Sequence, residues 1–422
     1  MSLFEIIAGL LVLTALFAWM NHRLIRLPHN VGLLVMGLAA SLVLVGLELL
    51  LPDIPIFVEL TATVEEIDFS EALLHGMLGF LLFAGALHVD LGLLRDRAWA
   101  VGIMATLGVV ISTIVIAIGV WYAGTAIGFP ISFAWALVFG ALISPTDPIA
   151  VLAILKHAGV PQTLEMDMAG ESLFNDGVGV VLFTILLAAA VSGEANGVDF
   201  LELGRVFFAE ALGGAALGLA TGYLAYRGMR QIDDYPIEVL ISLALVMGTY
   251  AIADHLHISG PIAVVVAGLL IGNRGAAIAM SETTRRHLFD FWGLIDEILN
   301  SLLFLLIGLE VLILQYDLAL APFAAAAVPI VLSGRLIAVS ISVFALRTWE
   351  DFAKGTIPIL TWGGVRGGIS VALALSIPNV DEKPALLAAT YCVALFTILV
   401  QGLTLPAVIR WFGSEEQPEL KV

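Results

Sequence analysis

The sequence predicts an all-α polytopic membrane protein, on three observations. First, 60% of the 422 residues are hydrophobic and only 13% are charged, whereas soluble domains are roughly 45–50% apolar and about 25% charged. Second, apolar stretches long enough to cross a bilayer, ~20 residues each, recur along the whole chain. Third, two of these stretches are interrupted by helix-breaking residues. An ordinary soluble enzyme is thereby excluded.

About thirteen apolar stretches have spanning length. They cover approximately residues 3–20, 31–51, 70–89, 98–124, 134–155, 166–192, 204–225, 236–255, 261–273, 288–314, 321–345, 355–377 and 385–409. Basic residues collect in the cytoplasmic loops of membrane proteins, and an external N-terminus places most loop arginines and lysines on that side. A miscounted span would reverse this bias in every later loop. We therefore expect an odd number of crossings in the plasma (inner) membrane, with 410–422 as a short cytoplasmic tail.

The chain carries a formal net charge of −18. This charge opposes binding to nucleic acid, so that cations and membrane lipid are the expected partners. Acidic residues lie in the predicted external loops, namely Asp53, Glu59, Glu65, Glu66, Asp68, Glu194, Asp199, Glu202, Asp381 and Glu382. Such a surface attracts cations at low ionic strength, and it fits equally well a solvated surface that aids solubility.

The two interrupted spans are the fifth, with Ser144 to Pro148, and the twelfth, with Gly363 to Gly368. Proline and glycine disfavour a helix, and irregular backbone at membrane depth is tolerated only where it is buried in protein or lines a cavity. The two spans run in opposite directions. Broken helices in oppositely oriented halves indicate an inverted-repeat transporter with its site at the breaks.

Charged side chains well inside the spans mark candidate functional residues, because they are costly in lipid. They are Asp147, Glu171, Asp176, Asp296, Glu297, Glu310, Arg335 and Arg366. In the sixth span, about 100° of rotation per residue places Glu171, Ser172, Asn175 and Asp176 on one polar face. Hydrogen bonding between helices is the alternative role of such a face, but two carboxylates favour function. The oxygen ligands suit alkali cations rather than transition metals.

The break in the fifth span should lie beside this polar face, since consecutive spans usually pack together. Unwinding frees the carbonyl of Thr146 and brings its hydroxyl into the centre, so that both are candidate ligands. Asp147 would lie where half-helix N-termini converge, and we favour neutralisation of their partial charge over direct ligation. No cofactor is expected.

Six segments of this sequence resemble, in order, those of the monovalent cation:proton antiporter-1 family, the prokaryotic NhaP-type sodium/proton antiporters related to animal sodium/proton exchangers. The segments are Phe83 to Leu87, Ser144 to Val151, Gly170 to Asp176, Asn300 to Gly308, Gly363 to Gly368 and Gln401 to Pro406. The resemblance covers essentially the whole chain.

The resemblance implies a role for each site residue. Asp176 would bind the proton and the cation, and Thr146, Ser172 and Glu171 would complete the Na⁺ coordination directly or through water. Asn175 would orient Glu171. In the same way, Arg335 would pair with Glu171, and Arg366 would compensate the exposed half-helix C-termini.

The resemblance also implies a homodimer built from one transmembrane domain, residues 1–409. A core of spans at about 98–192 and 321–409 would move against dimerisation spans at about 3–89 and 204–314. The implied activity is secondary active exchange of Na⁺ or Li⁺ for H⁺, by competition of the two ions for Asp176 with alternating access.

Exchange is expected to be electroneutral, one cation for one proton. Electrogenic relatives have two adjacent aspartates where this chain has Asn175 and Asp176, and Glu171 would stay ionised if an arginine holds it. A potassium/proton exchanger on the same scaffold is the alternative, because cation choice depends on cavity size and ligand number. A cation channel is less favoured, since the sequence has no repeated pore loop. No His-Glu-x-x-His or Gly-x-Ser-x-Gly motif indicates an enzyme.

Two further features keep two interpretations each. His88, at the inner end of the third span, titrates near neutrality as a residue type and could report cytoplasmic pH, but a structural role at the interface is favoured. Asp296 and Glu297, in the tenth span, could line a cytoplasmic funnel, or equally belong to a solvated helix end.

Overall fold

The fold is given by a computed structural model that describes residues 3–50, 69–147, 151, 155, 160–192, 200–311 and 318–413. Every regular element within these ranges is helical. Several residues named above lie outside the described ranges. They are Asp53 to Asp68, Pro148 to Ala150, Glu194, Asp199 and the tail beyond residue 413.

The helices follow one another with short connections. In chain order they are α1 (Leu3–Met20), α2 (His29–Leu50), α3 (Phe69–Leu87), α4 (Leu91–Asp96), α5 (Ala98–Ile127), α6 (Phe133–Ile143), α7 (Gln162–Val191), α8 (Phe200–Met229), α9 (Tyr235–His255), α10 (Gly260–Ala279), α11 (Glu282–Glu310), α12 (Ala321–Leu346), α13 (Thr356–Trp362), α14 (Gly368–Leu375) and α15 (Lys383–Phe412). Single π-helical segments interrupt some of them, for example Thr397–Gln401 within α15.

Eleven of the helices in the described residues are long and apolar enough to cross a membrane. The other two predicted spans are the interrupted ones. In the fifth, α6 ends at Ile143 and the chain is not helical from Ser144 to Asp147. The twelfth consists of α13 and α14, with Gly363 to Gly367 between them. The prediction of an all-helical polytopic membrane protein with two interrupted spans is therefore confirmed, with eleven candidate spans among the described residues, and the chain is a multi-pass membrane protein.

Some helix ends differ from those predicted by hydropathy, because polar residues continue a helix beyond its apolar part. The tenth span was predicted to begin at 288, but α11 begins at Glu282, after Ser281 accepts a hydrogen bond from the Thr284 N–H. The start of α10, close to its predicted position, is capped in the same way by Ser259, which accepts from Ile262 N–H. Such caps satisfy N–H groups that have no partner within the helix.

Large apolar side chains cover the outside of the bundle. Phe4 is 80% exposed, Leu224 72% and Trp99 72%. A water-facing monomer rarely shows contiguous apolar surface of this kind, whereas lipid solvates it. Inside, small residues allow close helix contact: a Cβ added to Gly308 of α11 would lie 2.8 Å from the Leu34 carbonyl oxygen of α2. Close approach through glycine is typical of membrane helix pairs.

Candidate functional site

The two breaks meet in the middle of the protein. The Asp147 N–H of the first break donates to the Val365 carbonyl of the second, 2.8 Å away. A Cβ added to Gly367 would lie 2.7 Å from the Asp147 Cβ, so glycine permits this approach. Because Gly367 immediately precedes α14, the Asp147 carboxylate lies at the N-terminus of that helix, where a negative charge is favourable.

Arg366 joins the breaks from the other direction. Its Nη1 donates to the carbonyls of Ser144 and Pro145, the latter at 2.9 Å. These carbonyls follow the end of α6, so the guanidinium lies against the negative end of that half-helix. The Arg366 N–H in turn donates to Thr397 Oγ1 at 3.0 Å. The resemblance implied this location for Arg366.

Two members of the predicted polar face, Ser172 and Asn175, are hydrogen-bonded to Thr146 of the first break. Thr146 and Ser172 hydroxyls are 3.0 Å apart. The Asn175 Nδ2 donates to Thr146 Oγ1 at 2.9 Å, and the Asn175 Oδ1 accepts from the Thr146 N–H at 3.3 Å. The expectation that Asn175 orients Glu171 is wrong, because both ends of its amide bind the unwound backbone and side chain of Thr146. Unwinding exposes that N–H, and the adjacent α7 satisfies it.

Glu171 faces a different neighbour. Its carboxylate accepts two hydrogen bonds from the Arg335 guanidinium, one of them 2.9 Å long between Nη2 and Oε2. Arg335 also donates to the Leu360 carbonyl at 3.2 Å through Nη2. Both residues are buried. Since the Arg335 guanidinium donates to both oxygens of Glu171, the two side chains form a buried ion pair.

Asp176 contrasts with Glu171. Its side chain has neither a hydrogen bond nor an ion pair to any part of the chain that the structure describes. It is 8% exposed and lines a cavity of about 540 Å³. The other predicted sodium ligands, Thr146, Ser172 and Glu171, do not line this cavity. Asp176 is thus the member of the polar group that an ion would meet first.

The cavity lies between α3, α7, α11 and the breaks. Asp147, Asp296, Glu297 and Asn300 share its wall with Asp176. Of the two interpretations of Asp296 and Glu297, the structure favours the funnel. His88 lies near the mouth, where its Nδ1 is 2.9 Å from the Ala84 carbonyl oxygen and its ring meets the edge of Phe289 at 5.4 Å. This contact fits the structural interpretation of His88.

Sequence reasoning missed a second buried ion pair on α7. Asp167 accepts two hydrogen bonds from Arg97, at 2.8 and 2.6 Å, and Arg97 also donates to Glu350 at 2.8 Å. Arg97 and Asp167 lie at the ends of the predicted spans 98–124 and 166–192, so neither was among the charged side chains well inside the spans. The available signal was the spacing of Asp167 and Glu171, four residues apart and therefore on one helix face.

The fold and the site together are typical of a secondary transporter: two broken helices cross at the centre of a membrane bundle, beside a buried carboxylate that borders a cavity. Residues 11–411 match the family described as "Sodium/hydrogen exchanger, transmembrane", and the chain belongs to this family.

Curated relatives support this assignment along nearly the whole chain. The chain is 47% identical over 411 residues to the Na(+)/H(+) antiporter NhaP of Pseudomonas aeruginosa, with 96% of each protein covered. It is 40% identical over 379 residues to the Na(+)/H(+) antiporter NhaH of Halobacillus aidingensis, covering 89% of this chain and 92% of the relative. A solved structure of the sodium proton antiporter MjNhaP1 from Methanocaldococcus jannaschii has the same fold, with a TM-score of 0.74 at 18% identity, covering 97% and 98% of the two chains.

Proposed function

We propose that this protein exchanges Na⁺ for H⁺ across the membrane, with Asp176 as the shared binding group. The observation that carries this proposal is the difference between Asp176 and the other buried acids of α7: it alone borders the cavity without a partner among the described residues. Names of relatives such as the Pseudomonas aeruginosa antiporter agree with this activity.

In the proposed cycle, the Asp176 carboxylate holds either a proton or a cation, but not both, because the two compete for the same oxygens. The hydroxyls of Thr146 and Ser172 would supply further oxygen ligands, directly or through water, and hard oxygen donors suit Na⁺ and Li⁺. Asn175 keeps Thr146 in place. The pair of Glu171 and Arg335 would support the site without titrating.

Alternating exposure of Asp176 to the two sides completes the exchange. We assign the moving core to the spans at about 98–192 and 321–409. In support, one hydrophobic cluster draws its buried members solely from α5, α6, α7, α12, α14, α15 and residues adjoining these helices. The spans with the fewest buried residues, α1 and α8, belong to the remaining group. Their exposed apolar faces are available for a homodimer contact or for lipid.

The orientation in this proposal has the N-terminus outside, in the plasma (inner) membrane. The cavity mouth, marked by His88, Asp90 and Gln162, is then on the cytoplasmic side, as are the basic loop residues such as Arg95 and Arg347. The described cavity would accordingly give Asp176 access to cytoplasmic cations and protons.

Purified protein in liposomes that contain a pH-sensitive dye tests the function directly. With the membrane potential clamped at zero, a jump in external NaCl or LiCl should change the internal pH, and choline chloride should not. A response to KCl alone would assign a potassium/proton exchanger instead. Sodium entry with no pH change would indicate a channel, and protein-free liposomes provide the baseline.

A further inference from the structure

The motif that begins at Asn300 has no role in the exchange site described so far. It lies on α11, a helix outside the core, and one face of α11 lines the cavity through Gly293, Asp296, Asn300 and Leu303. These residues recur every three to four positions, as one face of a helix requires. They share the cavity with Asp147 and Asp176 from the core.

The Asn300 side chain is held by one hydrogen bond through its amide nitrogen, but its amide oxygen accepts none among the described residues. Its Nδ2 donates to the Asp296 carbonyl at 2.9 Å. Its Oδ1 has no hydrogen-bond partner among the described residues, although Asn300 is only 1% exposed. A buried polar atom without a partner is unfavourable, and this one belongs to a residue that lines the cavity.

Asp296 lies one helical turn before Asn300 on the same face. No basic side chain pairs with its carboxylate in the described part of the chain. An aspartate carboxylate and an amide oxygen are both hard oxygen donors, which bind alkali and alkaline-earth cations rather than soft metals. Both residues line the same cavity, and both side chains carry oxygen ligands of this kind.

We propose that Asp296 and Asn300 form a second binding site for a monovalent cation, on the path to Asp176. This second site presupposes the proposed function, the exchange of Na⁺ for H⁺ at Asp176. A cation entering the cavity exchanges part of its hydration shell for the Asn300 amide oxygen and the Asp296 carboxylate, and then passes to Asp176 on the core. Because α11 lies outside the core, the cation is transferred between the two parts of the protein.

The alternative is that the acidic wall only attracts cations through its field. Direct ligation and field attraction predict different effects of removing the Asn300 side chain. Because this side chain is neutral, its removal takes away a ligand but changes no charge. Field attraction between solvated charges weakens with ionic strength, while direct ligation persists. Direct ligation also discriminates between cations by size, whereas screening affects Na⁺, Li⁺ and K⁺ alike.

The test measures initial exchange rates in proteoliposomes against Na⁺ concentration, at low and high choline chloride. Asn300→Ala should raise the KM for Na⁺ by about three- to tenfold, the equivalent of one lost polar interaction, with kcat retained and with the increase persisting at high choline chloride. Asp296→Asn should also raise the KM.

The matched control is Asp290→Asn, which removes an exposed carboxylate of the same helix, away from the cavity. It should leave the KM unchanged. The second site would be refuted by an unchanged KM in Asn300→Ala. It would also be refuted by a KM increase that disappears at high choline chloride, or by one that is equal for Na⁺, Li⁺ and K⁺. Wild-type protein that exchanges no cation for protons would instead refute the proposed function, so the two failures are distinguishable.

Discussion

The two sides of α7 carry acidic residues of the same kind in opposite circumstances. On the side towards α5 and α12, Asp167 and Glu171 each receive two hydrogen bonds from an arginine, Arg97 and Arg335 respectively. On the cavity side, Asp176 has no partner among the described residues. All three are less than a tenth exposed.

Burial alone therefore does not distinguish a carboxylate with a structural role from one that binds the transported ion. A buried ion pair with good geometry fixes two helices relative to each other, and its loss leaves an uncompensated charge. A buried carboxylate without a partner is instead available for an exchangeable ion. The comparison predicts that mutations on the two sides of α7 separate transport from stability.

The largest effect on transport is expected on the cavity side. Asp176→Asn should abolish sodium-driven pH changes in proteoliposomes, because it removes the group for which the proton and the cation compete. The melting temperature should be retained, since no described partner loses an interaction. Asp290→Asn, which also removes one carboxylate, should exchange at the wild-type rate. Normal exchange in Asp176→Asn would end the assignment of this residue.

The largest effect on stability is expected on the opposite side. Glu171→Gln removes the negative charge that compensates the buried Arg335 guanidinium, whose other described partner is the uncharged Leu360 carbonyl. Breaking one side of a buried pair costs roughly 3–5 kcal/mol, so the melting temperature should fall together with activity. Thermal unfolding of Glu171→Gln and Asp176→Asn, measured in parallel, checks the contrast. Equal melting temperatures would argue that the pair contributes nothing.

Asp167→Asn should have a smaller effect on the same side. Arg97 keeps the Glu350 carboxylate at 2.8 Å and the Asp351 carbonyl at 3.0 Å, so it is not left alone. We expect a loss of about 1–3 kcal/mol, typical of hydrogen bonds to a charged group, and a melting temperature between those of Glu171→Gln and wild type. The KM for Na⁺ should stay unchanged, because Asp167 faces away from the cavity; an altered KM would place Asp167 on the transport path.

The features that sequence predicts well here are local. Proline and glycine inside apolar stretches locate both breaks, and helical periodicity alone brings Ser172, Asn175 and Asp176 to the polar side of α7. Each inference needs only neighbouring residues, because the membrane requires every span to form its own backbone hydrogen bonds.

The features that sequence misses depend on how distant helices are rotated against each other. Asn175 bonds to Thr146 rather than to Glu171. The unwound Thr146 N–H lies beside Asn175 in space, and the helical pattern of α7 alone does not show this contact with another span. The Arg97 contacts join α5, α7 and the segment after α12, and no periodicity links those segments. Likewise, whether Asp296 faces water or a cavity is decided by the rotation of α11, so the pattern alone left both interpretations open.

The smallest expected effect is that of the membrane potential on the endpoint of exchange. This measurement tests the roles of Glu171 and Asp176 together. If Arg335 keeps Glu171 ionised throughout the cycle, Asp176 is the one acid of this group that titrates, and one positive charge is exchanged for another. The sodium-driven pH change should then reach the same endpoint at zero potential and at about 100 mV, a potential worth ~2.3 kcal/mol per net charge moved. A control with a proton ionophore verifies that the potential was imposed. An endpoint that shifts with voltage would require a second titrating group, and Glu171 would be the first candidate, because it is the other carboxylate of the polar face.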